Sequence, residues 1–145
     1  MRKTSIALNE HEMAWYGRYG DRIGLSQAIR EDAAALRGLL RRAAERLRGR
    51  FTAPEAAMLV DAHLSTWIDE SYLEDPAGCL VNEIEDYLVD DHSERLGRTE
   101  ADFLDRLRGL TDAEALTVIH WIRTAAAKRD QVNLAALFRC RVEGV

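Results

Sequence analysis

The sequence predicts a mainly α-helical protein in two parts, with one short strand at the N-terminus. The composition favours helix: the 145 residues include only nine glycines and two prolines, and alanine, leucine, glutamate and arginine dominate. Residues 2–8 alternate between two faces, which is the period of a strand. Further along, apolar residues recur at three- and four-residue steps, which is the period of a helix. The length is that of about one ordinary domain.

Charge is divided unevenly along the chain. The net charge is −5, but residues 1–50 hold 11 Lys/Arg and 6 Asp/Glu, whereas residues 51–145 hold 9 and 19. A basic segment attracts a polyanion and an acidic segment repels it. We therefore expect two parts with different partners: a basic module at residues 1–49, which suits a polyanion, and an acidic helical domain at residues 50–145.

Some classes of protein are disfavoured by the sequence. No apolar run approaches the roughly 20 residues of a membrane span, and no long apolar segment follows the basic start as it would in a signal peptide. The isolated cysteines, Cys79 and Cys140, do not form the framework of a disulfide-built domain. The expectation is a cytoplasmic protein with reduced thiols and no membrane partner.

The first predicted element is the strand. Its two faces hold Thr4, Ile6 and Leu8 on one side and Lys3, Ser5 and Ala7 on the other. A strand this short is not stable alone, because its backbone N–H and C=O groups need a partner strand. The segment is therefore expected to pair outside its own chain.

Two helices are predicted to follow the strand. Asn9 suits the N-cap of a helix of about 13 residues, with Glu12 completing a capping box, and Gly24 suits the C′ position. Ser26 can then cap a longer helix that ends near Gly49. The apolar stripe of this second helix consists of Ile29, Ala33, Leu36, Leu40, Ala43 and Leu47.

This order of elements resembles the ribbon-helix-helix DNA-binding family of the Arc/MetJ type. The resemblance covers roughly residues 2–47 and rests on "TSIALNEHEM", on the helix length and on "GLSQAIRED". The chain departs from the family in carrying Gly17 and Gly20 where better helix formers are usual, and in a slightly irregular apolar spacing after "GLS". The resemblance implies a homodimer, in which two strands pair antiparallel into a ribbon packed on four helices.

The resemblance also implies a role for each face of the ribbon. The dimer core would contain Thr4, Ile6 and Leu8. The opposite face would enter the major groove of double-stranded DNA, which admits a β-ribbon. The implied DNA-contacting residues are Arg2, Lys3, Ser5, Ala7, Leu25 and Ser26. Lys3 can donate to guanine or phosphate and Ala7 can contact a thymine methyl group, while backbone N–H groups near Ser26 can hold a phosphate. Alternatively, Lys3 and Ser5 form the solvated face of an edge strand.

The acidic half predicts a set of helices. Capping boxes begin two of them, at Thr52 with Glu55 and at Thr111 with Glu114. The stretches "FTAPEAAMLVDAH" and "LTDAEALTVIHWI" resemble each other around these boxes. Either a repeated capping box or a duplicated helical pair explains the likeness.

Residues that could carry chemistry are scattered. The four histidines are His11, His63, His92 and His120, and they lack the i, i+4 spacing of a helical zinc pair. The acidic residues between 83 and 94 could bind a cation or a basic partner, but they lack a calcium-loop pattern, and a solvated acidic face also accounts for them. No phosphate loop or nucleophile motif is present. We expect neither catalysis nor a cofactor.

The sequence therefore predicts a homodimeric, sequence-specific DNA-binding transcriptional regulator, a repressor of bacterial type. The acidic domain would supply higher oligomerisation, a protein partner or effector sensing. The alternative is a helical adaptor, an antitoxin or an inhibitor, whose acidic C-terminal surface binds a basic protein. A metal-dependent enzyme ranks third.

Overall fold

A computed structural model describes residues 6–65, 70–89 and 100–127, and these residues are mainly α-helical, as predicted. The α-helices in these ranges are α1 (Glu10–Tyr16), α2 (Leu25–Leu47), α3 (Ala53–Ser65), α4 (Pro76–Tyr87), α5 (Glu100–Arg108) and α6 (Asp112–Ala127), with 3₁₀ helices at Gly20–Arg22 and Glu70–Leu73. The chain divides into two compact units, unit 1 (Met1–Leu39) and unit 2 (Leu40–Val145). Over the described ranges, no helix has both the length and the apolar character needed to cross a membrane.

The predicted strand is absent from the described part of the N-terminal segment. Residues 6–8 have no regular secondary structure, and residues 2–5 lie outside the described residues. Ile6, which was predicted to lie in the dimer core, is 63% exposed in the single chain, and Leu8 is only partly buried. A strand forms only where another strand accepts its backbone hydrogen bonds, and the described residues of one chain provide no such strand.

Helix α1 begins as predicted but ends early. Asn9 accepts a hydrogen bond from the backbone N–H of Glu12 at 2.8 Å, and the Glu12 carboxylate accepts one from the backbone of Asn9 at 2.9 Å. The predicted length of about 13 residues is wrong, because α1 ends at Tyr16 with Gly17 as its C-cap. Gly20 then takes a left-handed conformation, with φ of +61°, which an α-helix does not contain.

Helix α2 begins one residue before the predicted cap, Ser26. The Gly24 carbonyl accepts the backbone N–H of Ala28 at 3.0 Å, so Gly24 is the N-cap of α2 and not the C′ residue of α1. The end of α2, at Leu47, lies close to its predicted position. Gly49 has a φ of +70°, which is the left-handed conformation that favours glycine just after a helix.

The apolar stripe of α2 is covered along only part of its length. Ala43 and Leu47, which belong to unit 2, are completely buried. Leu36, which belongs to unit 1, is 50% exposed, and Ile29 is only partly buried. The predicted stripe is therefore buried only at Ala43 and Leu47. Among the described residues of unit 1, the buried position of α2 is Ala28, which lies outside the predicted stripe.

Unit 2 contains the main apolar core of the described chain. Its largest fully buried side chains include Phe51, Phe103, Leu47, Leu80, Ile84, Leu107 and Ile122. The rings of Phe51 and Phe103 meet edge to face, with 6.2 Å between centroids and 89° between planes. These residues come from the end of α2, from α4 to α6 and from the turn before α3, so the core joins these described elements of unit 2.

Both predicted capping boxes are present in unit 2. The backbone N–H of Glu55 donates to the Thr52 hydroxyl at 3.3 Å, and that of Thr52 donates to the Glu55 carboxylate at 3.0 Å. Thr111 and Glu114 make the same two hydrogen bonds, at 3.3 and 3.4 Å. Both glutamates are buried, so they also need cationic partners.

The likeness between the two boxes extends into the helices before them. The sequence "RLRG" occurs at residues 46–49 and again at residues 106–109. Leu47 and Leu107, the equivalent leucines, are both completely buried. In each copy the second arginine pairs with the acidic residue three positions earlier, Arg48 with Glu45 and Arg108 with Asp105. This shared pattern supports a duplicated helical pair.

Candidate nucleic-acid interface

The structure describes only part of the predicted DNA-contacting surface. Arg2, Lys3, Thr4 and Ser5 lie outside the described residues. Ala7 is exposed, and so are Leu25 and Ser26 in the first turn of α2. The described part of this surface consists of the start of α2 and the exposed side chains of unit 1.

The N-terminus of α2 has the polarity that a phosphate requires. Its first backbone N–H groups, including those of Leu25 and Ser26, have no acceptor within the helix. The first turn of this 23-residue helix contains no acidic side chain. The positive end of the helix dipole is thus not neutralised by the side chains of its first turn. Anion binding at Leu25 and Ser26 stays a prediction.

An apolar groove lies beside the start of α2. It encloses about 350 Å³ and is lined mainly by Met13, Tyr16, Ile23 and Leu25, with Asp21 as its charged member. Three of the residues that line the groove are glycines, Gly17, Gly20 and Gly24. A Cβ at position 20 or 24 would meet no other atom within 4 Å.

Unit 1 exposes most of its large apolar side chains. Those with the greatest exposure are Ile6, Met13, Trp15, Tyr19, Leu25, Leu36 and Leu39. In the described part of unit 2, the corresponding residues are Leu73 and Val89. Ala28 is the one buried residue among residues 6–39. Burial of apolar side chains is what offsets the entropy of ordering a chain segment, and the described residues of unit 1 contribute little of it. These side chains form an exposed apolar surface.

A polar cluster that the sequence did not predict joins α1 to α2. The Asp32 carboxylate accepts a hydrogen bond from the Trp15 indole at 2.7 Å and another from the Arg18 guanidinium at 3.0 Å. The guanidinium also lies 3.9 Å from the centroid of the Trp15 ring. The Trp15 hydrogen bond, followed by that of Arg18, lowers the pKa of Asp32. Arg18 therefore has a structural partner and is a poor candidate for a DNA contact.

Three arginines of unit 2 are also used structurally. Arg106 donates to both oxygens of Glu55, at 2.9 and 2.5 Å. Arg46 and Arg50 donate to the two oxygens of Glu114, at 3.0 and 3.2 Å. These partners lie at least 51 residues apart, so no local sequence signal indicates the pairing.

His63 is the one histidine of the described set that is mostly buried. Its Nδ1 atom lies 3.6 Å from a Glu83 carboxylate oxygen and makes no hydrogen bond in the described residues. Burial, and then the nearby charge of Arg123, lowers the pKa of His63. His11 and His120 are exposed, and His92 lies outside the described residues.

No metal centre is visible in the parts of the chain that the structure describes, because no three His, Cys, Asp or Glu side chains converge there. His63 and Glu83 remain a pair. The predicted acidic cluster is only partly described, since residues 90–94 lie outside the described ranges.

Comparison of the chain with protein-family models, with curated proteins and with solved structures gives no match.

Proposed function

We propose that the protein is a homodimeric, sequence-specific DNA-binding regulator of transcription, a repressor that acts through its N-terminal module. The observation that supports this most is the apolar surface of unit 1, which buries only Ala28 among its described residues. A second copy of the same unit offers matching apolar side chains. Folding and dimerisation of this unit are then the same event.

In this proposal the N-terminal segments of two chains pair into a ribbon when the dimer forms. The exposure of Ile6 in the single chain fits a side chain that becomes buried on pairing. Lys3 and Ser5 then point into the major groove, where they contact base edges or phosphates. The unneutralised start of α2, at Leu25 and Ser26, holds a backbone phosphate.

A second candidate function follows from the acidic charge of residues 51–145, which hold 9 Lys/Arg and 19 Asp/Glu. A helical adaptor, an antitoxin or an inhibitor with such a surface would bind a basic protein partner. In that case the acidic unit would be the binding surface. The two candidates differ in whether DNA is bound at all.

The test uses the full-length protein. Sedimentation equilibrium should give a dimer, and a mobility-shift assay should show binding to the DNA upstream of its own coding sequence. A tenfold excess of unrelated duplex should fail to compete. A monomer that shifts no fragment of this DNA would refute the proposal and favour the adaptor.

A further inference from the structure

Most of the net positive charge of the first 50 residues lies outside unit 1. Residues 1–39 hold six Lys/Arg and five Asp/Glu, a net charge of +1. Residues 40–50 hold five arginines and one glutamate, a net charge of +4. The attraction for a polyanion that the sequence assigned to the N-terminal module is therefore concentrated at the end of α2, in unit 2.

Three of these five arginines have partners. Arg46 and Arg50 pair with Glu114, and Arg48 lies 3.7 Å from Glu45. The other two, Arg41 and Arg42, are exposed, and neither makes an ion pair with any described residue. They lie at least 100° around the helix from the buried positions 43 and 47, at 100° per residue.

The repeated "RLRG" motif provides a comparison for these two positions. In the second copy, sixty residues later, the equivalents of Arg41 and Arg42 are Ala101 and Asp102. By contrast, the arginine that pairs with a capping-box glutamate is present in both copies, as Arg46 and as Arg106. Arginine is thus retained where it has a structural partner in the unit. At positions 41 and 42 it has no such partner among the described residues.

We infer that Arg41 and Arg42 contact the phosphates of DNA outside the segment read by the ribbon. This inference rests on the proposed function and adds a second, sequence-independent contact to it. Duplex DNA carries about one negative charge per 1.7 Å of its axis, so two adjacent exposed guanidinium groups can each neutralise a phosphate. The contacts fix the position of the protein on the duplex and do not read bases.

The experiment compares full-length proteins on one 30-base-pair duplex taken from the upstream DNA. The test variant is Arg41→Gln with Arg42→Gln, and the control is Arg108→Gln. Arg108 is also an exposed arginine of unit 2, but it pairs with Glu85 and Asp105. Dissociation constants are measured between 50 and 200 mM salt. Thermal melting of each variant establishes that it is folded.

Each phosphate contact contributes about 0.9 to the slope of log affinity against log salt. The double variant should lose about 1.8 from this slope. Between 50 and 200 mM salt, the wild type should therefore lose affinity by a factor about 12 times larger than the factor for the double variant. Arg108→Gln should keep the wild-type slope.

Several results would overturn the inference. Wild-type binding with an unchanged slope in the double variant would refute these contacts and leave the proposed function standing. A wild-type protein that binds no DNA would refute both. An unchanged DNA slope, with loss of binding to vesicles containing phosphatidylserine, would assign the arginines to a membrane surface. An unchanged slope with altered sedimentation would assign them to contact between copies.

Discussion

Arg106 donates hydrogen bonds to both carboxylate oxygens of Glu55, across a separation of 51 residues. The same carboxylate accepts the backbone N–H of Thr52, so one side chain both caps α3 and binds an arginine of α5. The second copy of the motif works in the same way, with Glu114 beginning α6 and binding Arg46 and Arg50. In each case the arginine that precedes one capping box reaches the glutamate of the other box. The two copies of the helical pair are thereby tied to each other reciprocally.

Replacing Glu55 by glutamine should destabilise unit 2 strongly. Glu55 is 4% exposed at its side chain and Arg106 is 23% exposed, so the change removes the buried carboxylate that binds this guanidinium. Among the described residues, Arg106 then keeps only Asp102 as a charged partner, at 3.0 Å, and that side chain is 68% exposed. We expect a loss of about 3 kcal/mol in the free energy of unfolding, at the lower end for a broken buried pair because Arg106 retains some solvent. Urea unfolding at fixed protein concentration measures this loss.

Glu85→Gln is the matched control for Glu55→Gln. It breaks a pair with Arg108 in which both side chains are about half exposed, so the expected loss is below about 1 kcal/mol. Equal losses for the two variants would show that burial does not decide the strength of these pairs.

Local signals in the sequence predicted the parts of unit 2 that depend on neighbouring residues. The capping boxes at Thr52 and Thr111 are correct because all their hydrogen bonds join residues three apart. The pairing of Arg106 with Glu55 was not predicted, because nothing in either segment indicates the other. The repeated "RLRG" could have indicated it, since a duplicated hairpin places equivalent residues in equivalent positions.

Unit 1 was predicted less well, for two physical reasons. The predicted first helix was too long because Gly17 and Gly20 end it, and their cost relative to alanine outweighs the apolar period. A strand was predicted at residues 2–8, but residues 6–8 form none, because a strand needs a partner strand and the described residues provide none. The candidate site remains a prediction at Lys3 and Ser5.

Ile6→Asp should dissociate the dimer. Ile6 is 63% exposed in the single chain, so the substitution places no charge in an existing core of the monomer. In the proposed dimer, the same charge would be buried without a partner, which is strongly unfavourable. Sedimentation of the full-length variant should give a monomer, and the mobility shift should be lost with it.

Leu73→Asp provides the control for Ile6→Asp. Leu73 is 62% exposed, but it lies in unit 2, outside the proposed dimer surface. This variant should stay dimeric and bind DNA. If Ile6→Asp and Leu73→Asp both sediment as dimers, residue 6 does not lie at the interface.

Lys3→Ala should weaken DNA binding without affecting the dimer. If Lys3 reads a base, the loss of affinity should be about 1–3 kcal/mol for the specific duplex and small for an unrelated duplex. If it contacts a phosphate, both duplexes should lose affinity and the salt slope should fall by about 1. An unchanged affinity for both would place Lys3 on a solvated face of the segment.

Acid should destabilise unit 2 through His63. Its pKa lies below the ordinary value of 6.5 in the folded protein, first because the ring is buried and then because Arg123 is near. The unfolded chain therefore takes up a proton at His63 at a higher pH than the folded chain does. The contribution of the neutral ring to stability is complete above pH 6.5, and it is lost as the pH falls below that value towards the folded pKa.

His63→Gln should flatten this part of the pH profile. Urea unfolding at half-unit steps between pH 5 and pH 8, at one protein concentration, compares the variant with the wild type. The control is His120→Gln, which replaces an exposed histidine and keeps His63 in place, so this variant should still lose stability in acid through His63. Glu83 lies 3.6 Å from the buried Nδ1 atom and would favour the protonated ring. If the charge of Glu83 outweighed burial and Arg123, the pKa of His63 would lie above its ordinary value. Wild-type stability would then rise as the pH falls through 6.5, which would contradict this prediction.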